Sequence, residues 1–259
     1  MTGPEAIDYH QAWLQNAERT GVPSDVVAEI ARRHSITPHS FAVLRALAEI
    51  SDPAGKSFFL VPRGTSGDDA RRAALMTYIL NAGTGYGTAG SRPADFTETP
   101  YSAAEVQRII DRQKANKWSY EQDVAFVDAH GGRLVTTPNG MLMGLGGTWI
   151  QQQFSRQGGT AWGDIFMVNV ADSGAPARRL RQIVESGHSW YTDRKGRPFE
   201  STLALDRVLH HEERHSQQWA AKGHTRMIAA YVWEVFRDRI FRKTNRLEED
   251  AGLADGGYR

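Results

Sequence analysis

The chain has no cysteine among its 259 residues. Disulfide bonds, thiolate metal ligands and any thiol-nucleophile mechanism are therefore excluded, and the composition fits a reducing interior. No apolar run approaches the roughly 18 residues of a membrane helix. Residues Met1 to Asp8 lack the basic-then-apolar layout of a secretory signal, so a cytoplasmic protein with no membrane partner is expected. Excess charge is also missing: 31 basic against 30 acidic side chains leave +1, with no overall field to draw nucleic acid. Basic residues gather in one place, at Arg226, Arg237, Arg239, Arg242, Lys243 and Arg246. A solvated helix face explains them better than a nucleic-acid surface. No repeat or low-complexity segment occurs, and with 40% hydrophobic residues the chain can bury one good core or two small ones.

What the chain does contain is Leu209-His210-His211-Glu212-Glu213-Arg214-His215-Ser216-Gln217-Gln218-Trp219, and inside it His211-Glu212-x-x-His215. This is the HExxH pattern of helix-borne zinc hydrolases. On an α-helix residues i and i+4 share a face, so His211 and His215 can direct two imidazole nitrogens at one metal ion, with Glu212 beside it. Shifting one ligand by a residue would turn it about 100° around the helix and break the chelate. A solvated charged helix would also tolerate such a run, so context has to decide. The segment Ser201 to Ala221 is expected to be one helix, with Ser201 or Thr202 as N-cap after Pro198 and Gly223 as its stop. Its apolar positions Leu205, Val208, Leu209 and Trp219 run beside the histidine face.

A third protein ligand is needed. The HExxHxxGxxH spacing would put glycine at Gln218 and histidine at Ala221, so that arrangement fails. His224 lies past the expected helix stop. A second helix is expected from Thr225 to about Asn245, where Met227, Ile228, Tyr231, Val232, Val235, Phe236, Ile240 and Phe241 recur at helical spacing. Two carboxylates follow as candidates, Glu234 within that helix and Glu248 after it.

HExxH followed by Ser216, Gln218 and Trp219, with a later Asn245-x-x-Glu248-x-x-Ala251-Gly252-Leu253-x-Asp255-Gly256-Gly257-Tyr258 tail, resembles small zincin-type metallopeptidase domains whose third ligand is the Glu of an ExxA motif. The resemblance covers the C-terminal part of the chain. It implies a short gluzincin with His211, His215 and Glu248 as ligands of one Zn2+ per chain, and Glu212 as general base. Peptide-bond hydrolysis of a peptide or protein substrate is the activity it implies. The stretch Gly158 to Asn169 reads as a strand on its own composition. In such domains that strand borders the cleft and can pair with an extended substrate. The chain departs from the pattern in its extra His210, in the charges of Glu213-Arg214 and in an N-terminal region that matches no family. Tyr231, His188, His224, Tyr258 and Arg259 are the right chemical types to stabilise an oxyanion. Two other readings stand beside this one: a non-catalytic zincin-fold binding or regulatory protein, and a zinc hydrolase of a non-peptide substrate. Retention of Glu212 argues against the first, because a structural zinc needs no general base.

The remaining sequence sets the expected architecture. Helical patterns cover Pro4 to Arg19, Ser24 to Arg33, Pro38 to Ile50, Asp68 to Asn81, Ser102 to Trp118 and Ala175 to Ser186, with Ser102 and Glu105 as a capping box. Strands are expected at Ser57 to Val61, Val124 to Val127, Arg133 to Thr137, Met141 to Met143 and Ile165 to Val168, with Pro138-Asn139-Gly140 as a hairpin turn. Gly187 to Glu200 reads as a polar loop. Gly85-Tyr-Gly87-Thr-Ala-Gly90 matches GxGxxG, but a helix precedes it and Pro93 follows, so a dinucleotide site is not expected. Ala54-Gly55-Lys56-Ser57 lacks the first glycine of a phosphate loop and reads as a turn. Together these give an α+β fold, mainly helical, with a small, largely antiparallel sheet packed on the zinc-binding helices in the zincin manner. Residues 1–120 form a mainly helical N-terminal region and 121–259 the zincin-like unit, with no clear linker between them.

Overall fold

The computed structural model describes residues 8–84, 99–147, 159–171, 174–228, 246–253 and 255–256. Eight strands are described: β1 (Ala48–Ser51), β2 (Ser57–Leu60), β3 (Arg133–Thr136), β4 (Leu142–Leu145), β5 (Gly159–Trp162), β6 (Ile165–Val168), β7 (His188–Thr192) and β8 (Pro198–Ala204). The first six make one mixed sheet in the order β1-β2-β3-β4-β6-β5, in which β4 and β6 are parallel and the other neighbours antiparallel. Strands from both sides of residue 120 therefore share one sheet.

Both faces of this sheet are covered, which suits strands that are apolar throughout rather than alternating. Because successive side chains point to opposite faces, Leu134, Leu142, Ile165 and Met167 pack with Ala70, Ala74, Tyr120 and Val124 on one side. Val135, Met143, Phe166 and Val168 pack on the other with Leu180, Ile183 and Val184, and with Leu205, Val208 and Leu209. Those partners come from α3 (Gly67–Asn81), the π-turn Ser119–Asp123 and α5 (Val124–Ala129) on the first face. On the second they come from α6 (Pro176–Ser186) and α7 (Leu205–Lys222). A further cluster joins α1 (Tyr9–Arg19), α2 (Ser24–His34), α3 and α4 (Ala103–Ala115) around Trp13, Ile30, Phe41 and Ile79.

Several local expectations are corrected. Pro38 to Ile50 is not one helix: a 3-10 turn at Pro38–Leu44 leads into β1, because Ile50 faces the sheet core beside Phe58. Val124 to Val127 is helical rather than extended, since the π-turn Ser119–Asp123 leads straight into α5. The loop expected at Gly187 to Glu200 is the β7–β8 hairpin, whose turn is held by Asp193 Oδ1 accepting from the Lys195 and Arg197 N–H groups at 2.8 Å each. That hairpin takes residues 201–204 from the expected helix, so α7 starts at Leu205 with Ala204 as a cap that makes no side-chain bond. Gly158 to Asn169 is likewise two strands, β5 and β6, turned at Gly163 (φ 60°). Only half of the capping box at α4 forms: Ser102 Oγ accepts from the Glu105 N–H, while the Glu105 carboxylate bonds Arg108. The GxGxxG stretch and most of the second expected C-terminal helix lie outside the described residues.

Candidate metal centre

The placement of α7 is set by a buried polar network on the side away from the histidines. Glu213 is ion-paired with Arg112 and Arg108 of α4, at 2.5 Å each. Arg112 also donates to the Gly140 and Asn139 carbonyls at 2.8 and 3.2 Å and lies 3.3 Å from Asp164 in the β5–β6 turn. Asp164 accepts further bonds from Tyr120 OH (2.9 Å), Asn116 Nδ2 (2.8 Å) and Ser216 Oγ. Asn139 reaches the helix directly, donating to the Leu209 carbonyl at 2.8 Å. Two sheet turns and one helix thus fix the rotation of α7 about its axis. Burial pushes the Glu213 carboxyl up, but the two guanidinium groups more than offset it and hold it below its ordinary range. The unusual Glu213 of the motif is therefore part of the frame.

That rotation brings the histidines to α8 (Arg246–Ala251). His211 Nε2 and His215 Nε2 are 3.1 Å apart, and Glu248 Oε2 lies 3.2 Å from the first and 3.3 Å from the second. Each ring is oriented from behind. His211 Nδ1 faces the Ala251 and Gly252 carbonyls at 3.1 and 2.9 Å, acceptors that require the proton on Nδ1 and leave the Nε2 lone pair inward. His215 Nδ1 faces Gln218 Oε1 at 3.0 Å, and Gln218 in turn donates to the Leu247 carbonyl (2.9 Å) and Asp250 Oδ2 (2.8 Å). Both imidazoles therefore present a ring nitrogen to the same point as a carboxylate oxygen, with partners for their outer nitrogens on or bonded to the segment that carries Glu248. Gly252 has φ 92°, a conformation that favours glycine and turns its carbonyl toward His211.

Glu248 is brought to the site. Burial works against its charge, yet the hydrogen bonds and charges of His211 and His215 hold its carboxyl well below the usual range. The same contacts leave His215 with a raised affinity for a proton, against the opposing effect of its burial.

Glu212 differs from Glu248. It is 6% exposed and Oε2 has no hydrogen-bond partner. The Ala161 N–H of β5 donates to the carboxylate. Burial, added to by the negative charge of Glu248 and opposed by His211 and this N–H, pushes the Glu212 carboxyl up to about 7. Ala161 stands on the outer strand of the sheet, and its carbonyl accepts from Trp219 Nε1 at 3.0 Å. The strand edge expected to receive an extended substrate is therefore engaged by α7 at that residue.

Asp255 was legible only as part of a tail pattern, but it is a buried anchor. It accepts from Arg207 at 2.8 and 2.6 Å and lies 3.2 Å from His210 Nδ1, which accounts for the extra histidine of the motif. Among the candidate oxyanion donors, His188 pairs with Glu200 at 2.7 Å in the β7–β8 hairpin. His224 lies against Trp118 with ring centroids 4.5 Å apart. The described contacts bring neither to the three-ligand cluster. Tyr231, Glu234, Tyr258 and Arg259 lie outside the described residues. No described helix is long and apolar enough to cross a membrane. Searches against protein-family models, curated proteins and solved structures find no match for this chain.

Proposed function

We propose that the chain is a zinc-dependent metallopeptidase with a zincin-like site, in which His211, His215 and Glu248 hold one Zn2+ and Glu212 is the general base. The observation that carries this reading is the convergence of two Nε2 atoms and one carboxylate oxygen at 3.1–3.3 Å beside a buried glutamate with an unpartnered oxygen. Ligands on a tetrahedral zinc at roughly 2.0–2.1 Å stand about 3.3–3.4 Å from one another, so the donor set fits that ion in type, number and spacing. A fourth, open position is what separates a catalytic zinc from a structural one, and three ligands leave it open among the described residues.

Zinc in such a site lowers the pKa of water to about 7 and polarises a carbonyl. The chain's own residues do the rest. Glu212 takes a proton at its unpartnered Oε2 and can return it to a leaving amine. The Ala161 N–H holds the carboxylate against rotation, and the burial of Glu212 keeps competing water away. A peptide or protein substrate and a cytoplasmic setting belong to this reading.

The test is the zinc content of purified wild-type protein beside His211→Ala, Glu248→Ala and Glu212→Gln, each then incubated with casein. One zinc per chain is expected in wild type and Glu212→Gln and is lost in the two ligand variants, with cleavage by wild type alone. Zinc held without cleavage would move the reading to a binding or regulatory protein, or to a hydrolase of another substrate. Absence of zinc in wild type would remove it.

A further inference from the structure

Beside the metal centre three indoles meet in an arrangement that the hydrolytic reading does not use. The π-turn Ser119–Asp123 bonds residues five apart, which places Trp118 and Asp123 on one face. Trp162 joins them: its ring centroid is 5.8 Å from that of Trp118, and its side chain hydrogen-bonds the Asp123 carboxylate. Trp219 completes the group at 4.8 Å from Trp162 and 5.4 Å from Trp118. Both flanks lead to the metal centre. Trp162 directly follows Ala161, whose N–H bonds Glu212, and Trp219 lies one helical turn, about 6 Å along the axis, beyond His215.

Two polar atoms in this group are buried without a partner, Trp118 Nε1 and Asp123 Oδ2. One is a donor and the other an acceptor, and each carries a desolvation cost that a ligand can relieve. Burial pushes the Asp123 carboxyl up to about 6 against the opposing Trp162 bond, so at neutral pH it is mostly an ion. The exposed ring of His224, set just after Gly223, lies 4.5, 5.8 and 6.0 Å from the rings of Trp118, Trp162 and Trp219. A flat nitrogen-bearing ring is already seated on the indoles.

We propose that Trp118, Trp162, Trp219 and Asp123 form a substrate subsite that takes a basic side chain, lysine or arginine, close to the bond being cleaved. The assignment of substrate class rests on the peptidase reading. Indole faces attract a cation, Asp123 Oδ2 accepts from its N–H groups, and Trp118 Nε1–H can donate to a peptide carbonyl. An aliphatic side chain supplies no donor for Asp123, and an acidic one repels it. Asp123 and Trp118 act here as specificity-determining residues, apart from the catalytic group.

The experiment uses the full chain carrying Glu212→Gln, which keeps the ligands but not the base. Acetylated alanine pentapeptide amides with a central arginine, lysine, leucine or glutamate are titrated in, and tryptophan fluorescence is followed; three of the 7 indoles lie in the subsite. Saturable changes are expected with arginine and lysine at concentrations at least tenfold lower than with leucine or glutamate. Adding Asp123→Asn should weaken the basic peptides at least tenfold and leave the leucine peptide unchanged, with zinc content and thermal midpoint confirming a folded protein. Trp118→Phe, which keeps a ring and removes the donor, should weaken them as well. Equal binding of all four peptides, or indifference to Asp123→Asn in a folded protein, overturns the subsite. Casein cleavage by wild type separates the two readings: basic-peptide binding that depends on Asp123, in a protein that cleaves nothing, keeps the subsite and removes the peptidase.

Discussion

Glu212→Gln removes a charge that the fold holds in a dry place, and the size of the effect can be worked from its surroundings. An ordinary glutamate ionises near 4.5, whereas in the metal-free fold burial lifts Glu212 to about 7. At about 1.4 kcal/mol per pH unit, that displacement corresponds to about 3 kcal/mol. Below pH 4.5 the carboxyl is protonated in both folded and unfolded chains and contributes nothing. Between pH 4.5 and about 7 the unfolded chain gives up its proton and the folded one does not, so folding loses stability as pH rises; above about 7 the whole penalty is present. Glutamine has no charge to lose. Urea denaturation of the chelator-treated proteins at pH 5, 6, 7 and 8 should therefore show the variant gaining on wild type, from about 0.8 kcal/mol at pH 5 to about 3 kcal/mol at pH 8. Zinc should narrow the gap, because a cation nearby favours the ionised carboxylate. A difference that stays flat from pH 5 to 8 would refute the reasoning and show Glu212 to be solvated.

Two further outcomes follow from the geometry. Gln218→Ala keeps the three residues proposed as ligands but removes the acceptor at His215 Nδ1 and the bonds to Leu247 and Asp250, so competition with a chromophoric chelator should show zinc affinity falling 10–100-fold. Gly67→Ala should lower stability by about 1–3 kcal/mol in a thermal melt, because an added β-carbon runs into the Tyr120 backbone carbonyl in the π-turn and neither backbone can yield cheaply.

That His211 and His215 share a face was legible because the spacing of two imidazoles on one helix is a local property, and Glu248 was singled out because its tail pattern resembled a known one. The polar frame around them was not. Arg112, Asp164 and Asn116 are spread over three elements, and only the tertiary fold makes their charges and amides partners of Glu213 and Ser216. Pro138-Asn139-Gly140 read correctly as a turn, yet nothing local shows that Asn139 reaches the Leu209 carbonyl. The β7–β8 hairpin was missed for another reason. Its strands mix Ser, His, Thr and Glu with aromatics, so the period-2 signal is weak, and the Ser201-Thr202 pair imitates a helix cap while standing in a strand. At Val124 the apolar run was short enough to fit helix or strand, and the preceding π-turn, which periodicity does not report, decided it.

Glu248 sits in the described helical segment Arg246–Ala251. What holds it are the bonds that also aim the imidazoles: Gln218 to the Leu247 carbonyl and Asp250, and His211 to the Ala251 and Gly252 carbonyls. Asp255, through Arg207 and His210, ties down the far end of the same segment without touching a ligand. Burial raises the Asp255 carboxyl while His210 and Arg207 more than offset it, so this anchor stays charged at neutral pH. The geometry of His211, His215 and Glu248 and the docking of residues 246–253 and 255–256 are therefore one cooperative unit held at two points. Asp255→Ala should cost about 3 kcal/mol, the scale for breaking a buried pair, and should also weaken zinc although Asp255 is no ligand. Combined with Gln218→Ala, the loss of zinc affinity should differ from the sum of the single losses by at least about 0.5 kcal/mol, since either change alone frees part of what the other holds. Strict additivity in a double-mutant cycle would mean that the two ends of the segment dock independently and that the clasp around Glu248 is not a single unit.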